Sequence, residues 1–183
     1  DHISIPLSID TSKPEVMAAA ADAGAGLIND VMALRRPGAL KAAAATGLPV
    51  CLMHMQGMPK TMQQLPQYED VVVEVRDFLA ERMQVAIAAG IAAEQIVLDP
   101  GFGFGKTDPQ NASLLRGLGQ IAALGPPVLA GLSRKSLVGR VLGRALPDRL
   151  PGSIAAATLA VWNGAQIIRA HDVAETLDAV RLA

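Results

Sequence analysis

Cysteine occurs once in this chain, at Cys51, so no disulfide framework and no thiolate zinc cluster can form within it. That fits a reducing compartment, and the cytoplasm is the expected location. Aromatic residues are scarce, 3% of 183 positions, with Phe78, Phe102 and Phe104 the only phenylalanines. Neither sign of charge dominates; the net charge is -1, and nothing asks for a nucleic acid or an acidic membrane surface. No apolar run reaches membrane-spanning length, and no basic-then-apolar leader is found. An initiating methionine is missing too, since Asp1 stands directly before an apolar run, which reads as a truncation. What remains, 51% hydrophobic and 18% charged, is the composition of an ordinary globular protein, with residues 1–183 as a single domain.

Against that scarcity, two of the three phenylalanines sit in one stretch, Leu98-Asp99-Pro100-Gly101-Phe102-Gly103-Phe104-Gly105-Lys106. An apolar β-forming run, Ile96-Val97-Leu98, stops at Asp99, Pro100 prevents further pairing, and a shaped loop begins. Placing aromatic rings in a glycine loop wastes core material unless a planar ligand stacks there or the rings fold back as a plug. Lys106 reads equally well as a surface charge.

Taken in order, the chain predicts strand-then-helix units. Ile3 to Ile9 is a strand ending in Asp10, and Ser12-Lys13-Pro14-Glu15 has capping-box spacing with Ser12 as the N-cap. Gly24 closes that helix, Leu27-Ile28 is a strand ended by Asn29-Asp30, and Pro37 to Thr46 is the next helix, stopped by Gly47. Pro49 to Met53 is a strand running into His54-Met55-Gln56-Gly57, and the loop from there to about Gln67 is long enough for a lid. Glu69 to Ala89 places Val72, Val75, Leu79, Met83 and Ile87 on one helical face. Beyond the strand at Ile96, Asp108-Pro109 opens a helix that runs to near Gly125. Pro127 to Ala130 then leads into Gly131-Leu132-Ser133-Arg134-Lys135, followed by helices over Leu137 to Leu142 and Ser153 to Asn163. Gln166 to Arg169 and Val173 to Leu182 form the last unit.

Such alternation means a parallel sheet covered by helices. An open doubly wound sheet for a dinucleotide wants its glycine turn after the first strand. Here the glycines come late and polar residues end almost every strand, which favours a (β/α)8 barrel, of which this chain supplies about six units. Residues two apart share a face of a strand, so Asp10, Asn29, Met53, Asp99, Ser133 and His171 can point into one mouth, with Arg169 beside them and Lys135 just beyond its strand. Carboxylates and an amide suit a flat heterocycle rich in N–H donors, a lysine can meet a ring carbonyl, and an arginine can lie against a ring or bind phosphate. Bland readings stand beside these. Asp10 and Asp99 could be strand-end caps, Asn29 a turn residue, Ser133 to Lys135 a solvated helix start, and Arg169 a salt-bridge partner. His171-Asp172 could cap the last helix, His54 suits a core histidine better than a metal ligand, and Cys51 is most simply a small buried hydrophobe. No spacing aligns a nucleophile, base and oxyanion hole.

Ile9 to Pro14, Ile28-Asn29-Asp30, Cys51 to Gly57, Leu98 to Lys106, Gly131 to Ser136 and Arg169 to Asp172 closely resemble, in order and spacing, the dihydropteroate synthase family of folate biosynthesis. The resemblance implies a (β/α)8 TIM barrel of which this chain holds the third to eighth units. It implies that dihydropterin-methyl diphosphate is condensed with p-aminobenzoate, with magnesium assisting. Asp10, Asn29, Asp99 and Lys135 match residues that hold the pterin ring, Met53 and Gly131 lie in its pocket, and Arg169 and His171 match ring-stacking and diphosphate contacts. Asp10, Lys135, Arg169 and His171 would carry the chemistry. Phe104 and Ser133 match positions lining the p-aminobenzoate site, which sulfonamides also occupy. Members carry two further βα units, with the magnesium-binding asparagine and two mobile loops, before the strand that begins here at Ile3; the expectation is a fragment with little activity alone. A homodimer through the last helices is also implied. The methyltetrahydrofolate-binding domain of corrinoid methyltransferases shares the ring-holding residues but has no need of Ser-Arg-Lys-Ser or Arg-x-His. A non-catalytic pterin-binding module is favoured only by the absent units.

Overall fold

The computed structural model describes residues 4–57, 62 and 66–183. Ile3 and the middle of the expected lid loop lie outside the described residues. Six short strands are present among the rest: β1 (Ser8–Asp10), β2 (Leu27–Asp30), β3 (Val50–Met53), β4 (Ile96–Asp99), β5 (Leu129–Ala130) and β6 (Ile167–Ile168). Single helices follow the first three, α1 (Pro14–Asp22), α2 (Ala39–Thr46) and α3 (Val71–Ala88). The pair α4 (Asp108–Arg116) and α5 (Leu118–Ala122) follows β4, the pair α6 (Ser136–Leu142) and α7 (Leu150–Trp162) follows β5, and α8 (Val173–Val180) follows β6.

Strands β1 to β4 pair in sequence order and parallel, a parallel bridge from Leu98 to Val128 continues the ladder, and β5 pairs with β6. A doubly wound sheet reverses its strand order part-way; this one does not, and it is an arc of six units of a (β/α)8 barrel. Ile28, Val50, Leu52, Ile96, Leu98, Val128 and Ala130 enter the main core with helix residues such as Met17, Leu79, Leu114 and Ile121. Cys51, Val97 and Leu129 form a separate buried cluster. Alternation along the strands therefore divides the helix side from the inner side, and the register Asp10 to Asn29, Asn29 to Cys51 and Met53 to Asp99 puts those polar strand ends on the inner side. Burial pushes the Cys51 thiol up, with Asp99 and Asp10 adding to the shift, as suits a small core residue.

Several helix starts differ from expectation because the side chains expected to cap have better partners. Ser12 does not cap α1; the N-cap is Lys13, and the Ser12 hydroxyl donates to Asp30. Asp108 lies inside α4, whose cap is Thr107, and is drawn off by Arg140 at 2.6 Å. The helix expected to run unbroken toward Gly125 breaks at Gly117, where a Cβ would lie 2.7 Å from Val72. Helix α3 starts at Val71 rather than Glu69, because the Asp70 carboxylate caps it, accepting from the Val72 and Val73 amides at 2.9 and 3.2 Å. Its buried face is Val72, Val75 and Leu79, while Ile87 reaches solvent. Leu79 has 0% exposure, so truncation to Ala would remove about 2–5 kcal/mol of stability. Among the described residues no helix is long and apolar enough to cross a membrane.

Candidate active site

Three polar groups meet at the edge of the arc. The Asn29 Nδ2 donates to Asp10 Oδ2 at 3.0 Å, and the Arg169 guanidinium lies 3.6 Å from the same carboxylate oxygen. The Asn29 Oδ1 is buried and has no hydrogen-bond partner. A buried acceptor left unpaired costs about 1–3 kcal/mol, a penalty that a ligand N–H would relieve.

At the end of β4 the chain turns under its own carboxylate: Asp99 Oδ1 accepts from the Gly101 amide at 2.7 Å, and the Asp99 carbonyl accepts from the His54 amide at 2.9 Å. Burial raises the Asp99 pKa, against the pull of Lys135, the Gly101 amide, Lys106 and Arg169. The two phenylalanines of the glycine loop divide the two roles open to them. Phe102 is wholly buried in the main core as a plug, whereas Phe104 is half-buried with the Lys135 ammonium 4.7 Å from its ring centroid. Lys106 is not a surface charge. It is 1% exposed, and its ammonium donates to the carbonyls of Gly101 at 2.9 Å and Phe104 at 3.1 Å. Its third neighbour is His54 Nδ1 at 3.0 Å. Burial lowers Lys106 to about 7, with Asp99 opposing and Lys135 assisting. Burial also lowers His54 to about 3, helped by the charges of Lys106 and Arg35, so this ring is neutral. It is a core histidine, edge-on to Phe78 at 4.9 Å.

Past β5 and β6, Gly131, Ser133, Lys135, Arg169, Ala170 and His171 line a hollow of about 290 Å³. Gly131 lies beneath the cations: a Cβ there would come 3.8 Å from Arg169 Cβ and 3.9 Å from Lys135 Nζ. Lys135 donates to the Phe102 carbonyl, and burial lowers its pKa while Asp99 raises it. Ser133 Oγ is 3.0 Å from His171 Nδ1 and accepts from the His171 amide at 3.2 Å. Arg134 and Asp172 bind the two loops together through an ion pair, one arm of it at 2.9 Å; Asp172 stands at the N-cap of α8, but its carboxylate makes no cap bond there. A larger hollow of about 810 Å³ beside the start of α3 is lined by Glu69, Asp70, Glu74 and amide groups and holds none of the converging residues.

Asp10, Asn29, Met53, Asp99, Phe104, Ser133, Lys135, Arg169 and His171 thus lie at or just beyond the C-terminal ends of the strands. Asp10, Asn29 and Arg169 touch as one group, Lys135 and Phe104 as a second, and Ser133 and His171 as a third. Met53, 2% exposed, lies in register with Asp99 and forms the floor beneath Gly101. The sequence family described as pterin binding enzyme matches residues 1–171. The chain belongs to the pterin binding enzyme family.

Within that family it is 53% identical to the dihydropteroate synthase of Escherichia coli K12 over 176 residues, 96% of this chain and 62% of the relative. The crystal structure of dihydropteroate synthase from Stenotrophomonas maltophilia superimposes with a TM-score of 0.96 at 53% identity, over 98% of this chain and 68% of that one. The Xanthomonas albilineans enzyme in complex with 7,8-dihydropteroate does so with a TM-score of 0.92 at 51% identity, over 98% and 66%. The chain thus spans about three fifths of the length of the curated relative.

Sequence reasoning missed two supports of this mouth. Asp30 is wholly buried and accepts from the Met32 and Leu34 amides at 2.8 and 2.9 Å as well as from Ser12. It braces a turn in which Ala33 and Leu34 take φ of 50° and 58°. Asn111 accepts from the Gly103 amide at 2.7 Å and donates to the carbonyls of Lys106 and Thr107 at 3.2 and 2.8 Å. Asp30 carries a visible signal, an acidic residue one place beyond an inner-face amide; Asn111 carries none.

Proposed function

We propose that this chain carries the pterin and arylamine sites of a dihydropteroate synthase, the enzyme that joins dihydropterin-methyl diphosphate to p-aminobenzoate. The observation that carries the reading is the meeting of charged and aromatic side chains from the ends of separate strands and the loops that follow them at one mouth, Arg169 3.6 Å from Asp10 and Lys135 4.7 Å from the Phe104 ring. Asp99 and Asn29, steadied by Asp10, accept and donate along the N–H-rich edge of the pterin, over the floor made by Met53 and Gly131. Lys135 donates to the ring. Arg169 lies beside it and, with His171, holds the diphosphate.

In the reaction the bond from the methylene carbon to the diphosphate oxygen breaks, its electron pair leaves with the diphosphate, and the arylamine nitrogen supplies the pair for the new carbon–nitrogen bond. The nitrogen then sheds a proton to solvent. Positive charge on the electron-rich ring is favoured by the carboxylates, and the departing anion by Arg169 and His171. Phe104 packs on the p-aminobenzoate ring, and Ser133 meets its carboxylate. An arylamine already carries a nucleophilic lone pair, so orientation supplies much of the acceleration. Among the described residues no group of three or more His, Cys, Asp or Glu side chains could hold a metal ion, so they form no cage for magnesium, and no step here runs through it.

Titration with 6-hydroxymethylpterin tests the ring site: the parent binds, and Asp99→Asn weakens binding by roughly 10- to 100-fold, the loss of a charge-assisted hydrogen bond. A parent that binds no pterin refutes the reading. Diphosphate release on adding p-aminobenzoate tests the chemistry, and this chain is expected to turn over more slowly than one extended to its relatives' length. A cytoplasmic location and a homodimer complete the proposal. Trp162 at 75%, Val173 at 66% and Leu159 at 52% exposure give a second copy an apolar face to cover, and sedimentation should lose the dimer in Trp162→Glu.

A further inference from the structure

We infer that Lys106, braced by His54, is the positioning residue for the arylamine side of the mouth, fixing the peptide from which Phe104 projects. This rests on the proposed reading of Phe104 as the wall against p-aminobenzoate. An ammonium has three donors, and Lys106 meets three neighbours that can accept them: the carbonyls of Gly101 at 2.9 Å and Phe104 at 3.1 Å, and His54 Nδ1 at 3.0 Å. The glycine loop is thereby tied from inside. Its backbone also lies flat on the segment after β3, since a Cβ on Gly105 would come 2.6 Å from the Gln56 carbonyl oxygen. Tyr68 holds the far side, donating to the Gly105 carbonyl at 2.8 Å.

His54 is itself fixed. Its ring meets Phe78 of α3 edge-on at 4.9 Å and lies 6.0 Å from Tyr68, so helix α3 sets where the lysine's third proton goes. Asp99 depends less on this staple: its carbonyl accepts from the His54 amide at 2.9 Å, β4 is paired with β3 along its length, and Lys135 pulls on the carboxylate more than Lys106 does, although the Gly101 amide that meets Asp99 Oδ1 belongs to the stapled loop. Loss of the ammonium therefore loosens Phe104 while leaving the ring-holding carboxylate in place.

Two probes separate the two sides of the mouth. 6-Hydroxymethylpterin reaches the ring site alone, and 7,8-dihydropteroate carries the arylamine as well. In Lys106→Met the first is expected to bind within about threefold of the parent and the second at least about tenfold more weakly, the loss of one positioned contact. A lysine that only stabilises the fold would lower the melting temperature and weaken both probes equally or neither, and either result overturns the inference. Should Lys106→Met fail to fold by circular dichroism, the His54 variants decide. His54→Gln keeps an acceptor toward the ammonium and is expected to bind both probes as the parent does, whereas His54→Leu loses dihydropteroate selectively. Equal affinities in those two variants overturn the proposal. A parent that binds neither probe refutes the proposed function, and this inference with it.

Discussion

Asn29 donates to Asp10 across 3.0 Å while its own Oδ1, buried, accepts from nothing. One side chain is thus half-satisfied, and its two ends answer to different requirements. Replacing Asn29 by Ala removes an unpaired acceptor along with a donor, so stability to urea should change by less than about 1 kcal/mol. Affinity for 6-hydroxymethylpterin should fall by roughly tenfold or more, the worth of one well-placed hydrogen bond. A variant that lost stability and kept its affinity would make Asn29 a structural residue only.

Asp30 invites the opposite expectation. Both of its carboxylate oxygens accept, Oδ1 from the Met32 amide and Ser12, and Oδ2 from the Leu34 amide. An asparagine offers one acceptor and turns its NH2 toward a donor. Asp30→Asn should therefore cost about 2–4 kcal/mol in urea denaturation, with a buried charge-assisted bond lost and an N–H facing another N–H. Because Asp30 ties Ser12 to the strained turn at Ala33 and Leu34, pterin affinity should fall with stability. A substitution without effect on either would show that the turn holds itself.

Strand alternation and the polar residues at strand ends were legible because both follow from period two, which needs no knowledge of partners. Asp10, Asn29 and Asp99 could be aligned on one face from spacing alone; Ser133 and His171 lie in loops beyond the ends of β5 and β6, where strand alternation no longer applies. Helix boundaries were less legible where a capping residue had a rival. Ser12 has ideal spacing for α1, yet a buried carboxylate 18 residues away takes its hydroxyl. Asp108 loses its expected role to Arg140, 32 residues on. Lys106 misled for the same reason: a lysine after a glycine loop reads as solvated, and only the folded loop brings carbonyls and an imidazole around it.

His54 should leave a trace in the pH dependence of stability. Its folded pKa lies near 3 against an ordinary 6.5, so the unfolded chain takes up the proton first. The contribution of the neutral ring is complete above about pH 6.5 and is lost as pH falls toward 3, with a slope approaching 1.4 kcal/mol per pH unit. His54→Gln cannot titrate there. The difference in unfolding free energy between parent and variant should be constant from pH 7 to 8 and move against the parent below about 6.5. A difference independent of pH would mean that His54 is protonated in the fold as readily as out of it.

Glycines 101 and 103 test how closely the loop is seated. Both have positive φ, 68° and 78°, so each should resist an L side chain by about 1–2 kcal/mol from backbone conformation alone. Their surroundings differ. A Cβ on Gly103 would meet the side chain of Lys135, 3.3 Å from Cδ and 4.0 Å from Nζ, the far end of a flexible chain that need give by only a few tenths of an ångström. A Cβ on Gly101 would overlap the His54 carbonyl oxygen, part of a backbone that is hydrogen-bonded to β4 and has no freedom to withdraw. Gly101→Ala should therefore cost at least about 3 kcal/mol, conformational strain plus overpacking, and Gly103→Ala roughly half of that or less. Thermal denaturation of the two variants side by side gives the comparison, and equal losses would mean that the loop does not lie against His54 in solution.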